Sequence, residues 1–415
     1  MILAIVAGLA VLALLLWWLR GRGEAAAAPA AHAVAPGPAQ AKVPQPLPPA
    51  PPVPITAAQL AQATTHPDGS MTLRQGQTDV PLTLDGKLQQ DIQGLLDRSH
   101  VPYGAVVLMD PRTGAILAMV EHREPGDPVG AIGGLGQPDM PAASVFKVVT
   151  SAALLTAGQT PETKACFHGG KHGIDASHLK ASASDTQCQT LTEALAHSTN
   201  AAFARLALDH LHAGDLAAMA HKLGWGSAQA GDVAMQPSTV DEGTTPLDFA
   251  RTAPGFAGST LSPLHGAMLA ATVANHGLAM QPRLVQNRAP QPIGQVITPE
   301  VADGLAAMMT QTVAVGTGRH AFSVRPKSLQ GMAIAGKTGS LSNNDPVTWR
   351  HFSWFVGFAP ADHPQVAVAA IAVNGLKWRV KGPQLARDAL ALRFDTERSG
   401  PQTGHGTLDV RTAAR

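Results

Sequence analysis

A serine and a lysine three positions apart, Ser144-Val-Phe-Lys147, head a run that is apolar on nearly every side, Val148-Val-Thr-Ser-Ala-Ala-Leu-Leu155. On a helix this spacing puts the two side chains on one face. A helix apolar around its circumference is a buried one, and burying an ammonium without a partner lowers its pKa. Lys147 is the one charge in the run. A neutral amine beside a hydroxyl is what a general base for a serine nucleophile requires. A helix starting at Ser144 also aims N–H groups and the positive end of the helix dipole at a developing oxyanion. These residues point to acyl transfer through a serine ester, with lysine in the place of histidine as base.

Two further groups complete the set. Ser198-Thr-Asn200 stands between Thr190-Leu-Thr-Glu-Ala-Leu-Ala-His197 and Ala201-Ala-Phe-Ala-Arg-Leu206, both helical in pattern. Its serine reads as an ordinary N-cap or as a proton relay, and the two roles are compatible; the Asn200 amide would hold Lys147 and a substrate carbonyl. Lys337-Thr-Gly339 lies in a strand-like stretch with glycines at 336 and 339. Glycine inside a strand marks close approach by a backbone or a ligand, and an exposed edge there would pair with an extended peptide. Lys337 would lower the pKa of Lys147 by its charge and, with Thr338, Gly339 and Ser340, bind a substrate carboxylate. Spelling alone selects none of these. Ser177-His-Leu-Lys180 repeats the first pattern in a Gly- and His-rich segment, and Ser342-Asn-Asn344 repeats the second at a strand exit. Only context separates Ser144 and Ser198 from these look-alikes.

The elements that must position these groups are readable in outline. Apolar runs at Ala105–Met109 and Ala115–Val120 around Asp110-Pro-Arg-Thr-Gly114 predict a β-hairpin. A helix is predicted from Ser144 to about Ala157, stopped by Gly158, and two helical pieces within 190–211 joined at Ser198. Helical spacing predicts another helix at Pro263–Ala274. Strand-like runs follow at 332–341, 352–358 and 366–373, then a closing helix at 384–394, with the fold beginning near residue 80. The 415 residues are 45% hydrophobic and 14% charged, with 30 Lys and Arg against 29 Asp and Glu. A chain of this length buries a core without help from metals. Near-neutral charge and 4% aromatic residues give no basic surface or stacking platform for nucleic acid.

The ordered triple resembles that of penicillin-binding proteins and serine β-lactamases. Segments across 81–395 are similar to a penicillin-binding transpeptidase domain: Leu82-Thr-Leu-Asp-Gly-Lys-Leu-Gln89, Thr113-Gly-Ala-Ile-Leu-Ala-Met119, Leu261-Ser-Pro-Leu264, Gly316-Thr-Gly-Arg319 and Trp354-Phe-Val-Gly-Phe-Ala-Pro360. The resemblance implies an α/β (α+β) fold, with an antiparallel five-stranded sheet flanked by helices beside an all-helical lobe. It implies Ser144 as nucleophile, Lys147 as base, and the N–H groups of Ser144 and Ser340 as oxyanion hole. The substrate implied is the D-Ala-D-Ala end of a peptidoglycan stem peptide, transferred to an amine, with β-lactams acylating Ser144 as mimics. No cofactor or metal is implied. Water as acceptor would give a D,D-carboxypeptidase or a β-lactamase instead; a β-lactam sensor or silent scaffold would bind without turnover.

Residues 2–19 form an uncharged apolar run ending at Trp17-Trp-Leu19. At about 1.5 Å per residue it reaches roughly 27 Å, enough to span a bilayer as an anchor over 1–21; a cleaved signal peptide is the competing reading. Arg20 and Arg22 after the run favour a cytoplasmic domain by charge, against the chemistry, which needs the periplasmic, cell-wall side of the cytoplasmic membrane. Residues 22–56 are rich in Ala and Pro and predict an extended linker. The transpeptidase domain is placed at 57–398 and a disordered tail at 399–415. The linker leaves no room for a glycosyltransferase or pedestal domain, and cell-wall synthesis partners are not indicated. Cys166 and Cys188 are the only cysteines. They predict a disulfide in an oxidising compartment, with a zinc site using His168 and His172 as the alternative.

Overall fold

The computed structural model describes residues 54–126, 132, 134–171, 173–228, 231–343 and 349–399. The apolar run at 2–19, the linker up to residue 53 and the tail from residue 400 lie outside the described residues. Among the described residues no helix is long and apolar enough to cross a membrane.

In chain order the elements that matter here are helix α1 (Gly86–Ser99), strands β1 (Tyr103–Met109) and β2 (Ile116–Arg123), helices α2 (Lys147–Thr156), α3 (Leu191–His197), α4 (Asn200–His210), α5 (Pro263–Ala274) and α6 (Pro299–Ala314), strands β3 (Ala335–Ser342), β4 (His351–Ala359) and β5 (Val366–Asn374), and helix α7 (Gly382–Ser399). The five strands form one antiparallel sheet in the order β3-β4-β5-β1-β2.

Strand side chains alternate between faces, and the two faces of this sheet feed two separate cores. Tyr103, Ala105, Val107, Trp354, Val356, Ala369 and Ile371 pack on one side, where α5 lies. Val106, Leu108, Phe355, Val368 and Ala370 pack on the other, against Leu88, Ile92 and Leu96 of α1 and Leu385, Ala389 and Leu390 of α7. Because both faces are covered, β1, β4 and β5 are buried at every position, which is why they read as continuous apolar runs. Helix α5 is also buried throughout. Gly266 brings it onto the sheet: a Cβ there would stand 3.1 Å from Ala369 Cβ and 3.2 Å from Val356 Cγ2.

Two details correct the sequence reading. The fold begins before residue 80: Ile55 bridges to Val233, and Thr64–Thr65, Met71–Gln75 and Thr78–Pro81 form a small three-stranded sheet. The segments are short and largely exposed, so they carry little apolar signal. The helical part is not purely helical, because Lys164–Phe167 pairs antiparallel with Gln187–Thr190. That ladder places Cys166 opposite Cys188 as a disulfide, which uses both thiols that the zinc alternative needed. His168 turns instead to Asp185, 2.5 Å away, and His172 lies outside the described residues.

Filling the space above Gly266 tests the α5–sheet contact. Gly266→Leu overpacks it and is expected to destabilise the fold by about 1–3 kcal/mol, measured by denaturant unfolding; an unchanged midpoint would show that the helix can lift without cost.

Candidate active site

Ser144 lies in a tightened turn, Ala143–Phe146, that runs directly into α2. Ala143 before it has φ 49°, an unusual conformation for a residue with a side chain. Such strain persists only where surroundings hold it. Here Gly255, at φ +83°, packs so closely that a Cβ on it would strike the Ala143 carbonyl oxygen. Thr150, one turn into α2, donates to the Ala253 carbonyl at 2.7 Å. The segment 253–255 is thereby fixed beneath the turn that carries Ser144.

Lys147 is fully buried. Its Nζ is 2.8 Å from Ser144 Oγ, 2.7 Å from Asn200 Oδ1 and 2.7 Å from the Pro254 carbonyl oxygen. Burial, and after it the charge of Lys337, holds its pKa well below the ordinary lysine value. A neutral amine has two N–H donors and one lone pair. Asn200 Oδ1 and Pro254 O can only accept, so they take the two donors, and the lone pair is left for the Ser144 hydroxyl to donate into. Ser144 itself is only partly buried and reachable from solvent.

Ser198 departs from the N-cap reading. It closes α3 in the left-handed region at φ 58°, and the residue at the α4 N-cap is Thr199, whose side chain makes no capping bond. The Ser198 hydroxyl is thus released from capping and accepts from Lys337 Nζ at 2.9 Å. Lys337 also donates to the Thr338 carbonyl at 2.8 Å. It too is fully buried, and that burial lowers its pKa to about 7.

Strand β3 is an edge strand of the sheet. Gly339 permits its approach to the Ala143–Phe146 turn, since a Cβ there would lie 3.1 Å from Val145 Cγ2 and 3.2 Å from Trp354 Cβ. Trp354 in turn donates from Nε1 to Pro141 O at 2.9 Å, fastening the sheet to the chain just before Ser144. Thr338 Oγ1 sits 2.6 Å from Thr317 Oγ1, and Ser340 is exposed at the strand's open end.

The structure therefore gathers Ser144, Lys147 and Asn200 into one hydrogen-bonded network and Ser198 with Lys337 into a second beside it; Thr338, Gly339 and Ser340 line up on β3. The look-alike motifs stay apart: Ser177 Oγ donates to Asp175 at 2.6 Å, and Ser342 Oγ meets His351 Nδ1 at 3.0 Å, while Asn344 lies outside the described residues. Sequence reasoning missed Pro254 and Thr317. The dipeptide Pro254-Gly255 is a turn signal that marks the first; Thr317 sits in a segment read only as part of the resemblance. Among the described residues, no group of three or more His, Cys, Asp or Glu is arranged to hold a metal.

The family model described as "Penicillin binding protein transpeptidase domain" matches residues 104–390. A peptidoglycan D,D-transpeptidase, PbpA, of Mycolicibacterium smegmatis is 29% identical over 318 residues, covering 66% of this chain and 62% of that protein. Stage V sporulation protein D of Bacillus subtilis is 26% identical over 335 residues, covering 73% of this chain and 50% of its own. The chain thus spans between half and two thirds of the length of these relatives. The crystal structure of PBPA from Mycobacterium tuberculosis superposes with a TM-score of 0.62 at 26% identity, covering 76% of this chain and 81% of that one. The imipenem acyl-enzyme complex of the same mycobacterial protein superposes with a TM-score of 0.62 at 25% identity, covering 76% and 79%.

The two buried lysines set a pH dependence. On the expectation that Ser144 is the nucleophile, its acylation requires Lys147 neutral and is favoured by a charged Lys337. Its rate should be bell-shaped in pH, with an acidic limb from Lys147 and an alkaline limb near the Lys337 value of about 7. Lys337→Arg keeps the charge at all accessible pH and should abolish the alkaline limb in a pH series of acylation rates. A limb that stays near 7 in that variant would assign it to another group.

Proposed function

The chain belongs to the penicillin-binding protein transpeptidase family, and from that membership we propose that it is a peptidoglycan D,D-transpeptidase with Ser144 as nucleophile. The observation that carries this reading is the coordination of the Lys147 amine, whose remaining lone pair meets the Ser144 hydroxyl. Ser144 Oγ attacks the carbonyl of the penultimate D-Ala of a stem peptide and gives its proton to Lys147 Nζ. The C–N bond to the terminal D-Ala breaks, and the departing amine receives the proton that Lys147 took, relayed by the Ser198 hydroxyl, which Lys337 holds, so that Lys147 is neutral again. The amine of a neighbouring stem then attacks the ester, its proton passes to Lys147, and Ser144 regains its hydrogen as the new amide forms. Each step leaves atoms and charge balanced without a cofactor.

Two placements support the substrate assignment. Ser340 is exposed at the open end of an edge strand, where an extended peptide can add. Thr338 and Lys337 stand next to it to receive the terminal carboxylate. The N–H groups of Ser144, at a helix start, and of Ser340 form the oxyanion hole on this reading. The relative from Mycolicibacterium smegmatis carries this activity in its name. A β-lactam would acylate Ser144 in the same way; the mycobacterial neighbour forms an acyl-enzyme with imipenem.

On the same reading the apolar run at 2–19 anchors the chain and the Pro-rich linker carries the domain on the cell-wall side. The length of the run and its terminal Trp pair support this, as does the disulfide, a bond that persists in oxidising compartments. A phosphatase fused after residue 60 should be active in cells; an inactive fusion of full-length product would place the domain inside.

Mass spectrometry after addition of penicillin tests the reaction. A slowly turned over adduct on Ser144, lost in Ser144→Ala, is expected, and purified stem peptides should yield cross-linked dimer when an amine acceptor is present. Fast hydrolysis of the adduct would indicate a β-lactamase, trimming without cross-linking a carboxypeptidase, and no adduct would remove the assignment.

A further inference from the structure

Helix α4 begins with Asn200, and the amide of that residue is held at both ends. Its Oδ1 faces Lys147 Nζ at 2.7 Å, and its Nδ2 donates to the main-chain carbonyl of Lys171 at 3.3 Å. Lys171 belongs to the segment closed by the Cys166–Cys188 disulfide. We propose that this disulfide-closed segment is a positioning element of the catalytic site, whose Lys171 carbonyl sets which end of the Asn200 amide faces the lysine base. The proposal rests on the transpeptidase reading above and deepens it.

A carbonyl oxygen accepts hydrogen bonds and cannot donate. Placed at one end of Asn200, it selects the Nδ2 end and so turns Oδ1 toward Lys147. The selection matters because of the amine's valence. With Oδ1 facing it, the amine spends an N–H on Asn200 and keeps its lone pair for Ser144. With the amide reversed, Nδ2 would donate into that lone pair and compete with the serine hydroxyl, removing the base function without moving any catalytic atom far.

The segment is built to hold its carbonyls in place. Gly170, at φ +69°, lies so close to α4 that a Cβ on it would strike Ala201, the neighbour of Asn200. Arg205 on α4 is buried and donates to the His178 carbonyl at 3.0 Å; Arg251 donates to the Ile174 carbonyl at 2.9 Å. At the neck, the two-stranded ladder carrying the cysteines is four residues on each side, a length that is marginal on its own. The covalent bond across it, at a sequence separation of 22, keeps the two ends of the segment together. A main-chain carbonyl cannot be removed by substitution, so the tie is the place to intervene.

The test uses the full-length protein in detergent and penicillin as probe, with acylation of Ser144 followed by mass spectrometry and resolved into binding and the first-order acylation step. Opening the tie with Cys166→Ser/Cys188→Ser is expected to slow the first-order step by about tenfold or more, the scale of a misplaced catalytic group, while apparent binding changes little. In an Asn200→Ala background the same opening should cost no more than about twofold, because nothing is left to orient. Gly170→Ala, which displaces the segment with the disulfide intact, should reproduce the non-additivity, and stands in should the serine pair lose the fold in a thermal melt. Unchanged acylation on opening the tie, or an equal loss with and without Asn200, would overturn the proposal while leaving the transpeptidase reading in place. No adduct on wild-type Ser144 would instead overturn that reading, and the proposal with it.

Discussion

Everything at this site depends on putting an amine where water cannot reach it. Lys147 occupies the first turn of a helix whose next seven residues are buried as well, and no carboxylate is hydrogen-bonded to it among the described residues. A protonated lysine in that position has lost its hydration without gaining a counter-ion. The neutral form avoids the loss and is also the chemically useful form. Burial thus raises the fraction of unprotonated amine at the expense of its proton affinity, and the helix that buries the amine also fixes the serine three residues before it.

The rest of the fold reads as a set of constraints that keep that amine's three contacts in place. Asn200 arrives from a separate helix and Pro254 from a turn pressed against the Ala143 carbonyl by Gly255. Strand β3 reaches the same turn only because Gly339 lacks a side chain, and Trp354 on the next strand fastens the sheet to Pro141. Sheet, Ser144 turn and helical part therefore meet at close contacts, one of them, Gly255 against the Ala143 carbonyl, between main chains. A methyl group at Gly255 or Gly339 would have to move a main chain or a core residue, so these glycines tie the core that includes Ala143, Val145 and Trp354 to the Ser144 turn.

The sequence disclosed what depends on residue type and periodicity. The Ser144–Lys147 helix, the hairpin around Asp110, α5 and the three C-terminal strands stand close to where their apolar patterns predict them, because each is buried on more than one side. The alignment of Ser198 on Lys337 was not legible: it depends on a single left-handed φ, and a serine before a helix ordinarily caps it. The Pro254 and Lys171 contacts are made by main-chain carbonyls, which every residue possesses, so no choice of side chain announces them. The small sheet at 64–81 escaped for the opposite reason, since its strands are short and half-exposed and bury too little to impose a pattern.

The pairing of two buried lysines without an acid partner has a consequence for how substrate would be received. Lys337, lowered to about 7, is only partly charged at neutral pH, and its charge is, after burial, what lowers the Lys147 pKa. On the proposed reading, the carboxylate of the stem peptide brings a negative charge to Lys337. Its arrival beside Thr338 and Ser340 would favour the charged form of Lys337, which in turn presses Lys147 further toward the free amine. Recognition of the substrate's end and readiness of the base are then one electrostatic event. A peptide lacking that carboxylate would leave both lysines in their resting balance. Discrimination for the terminal carboxylate would therefore fall on the acylation step as well as on binding, and this follows from burying the two ammonium groups together without an acid.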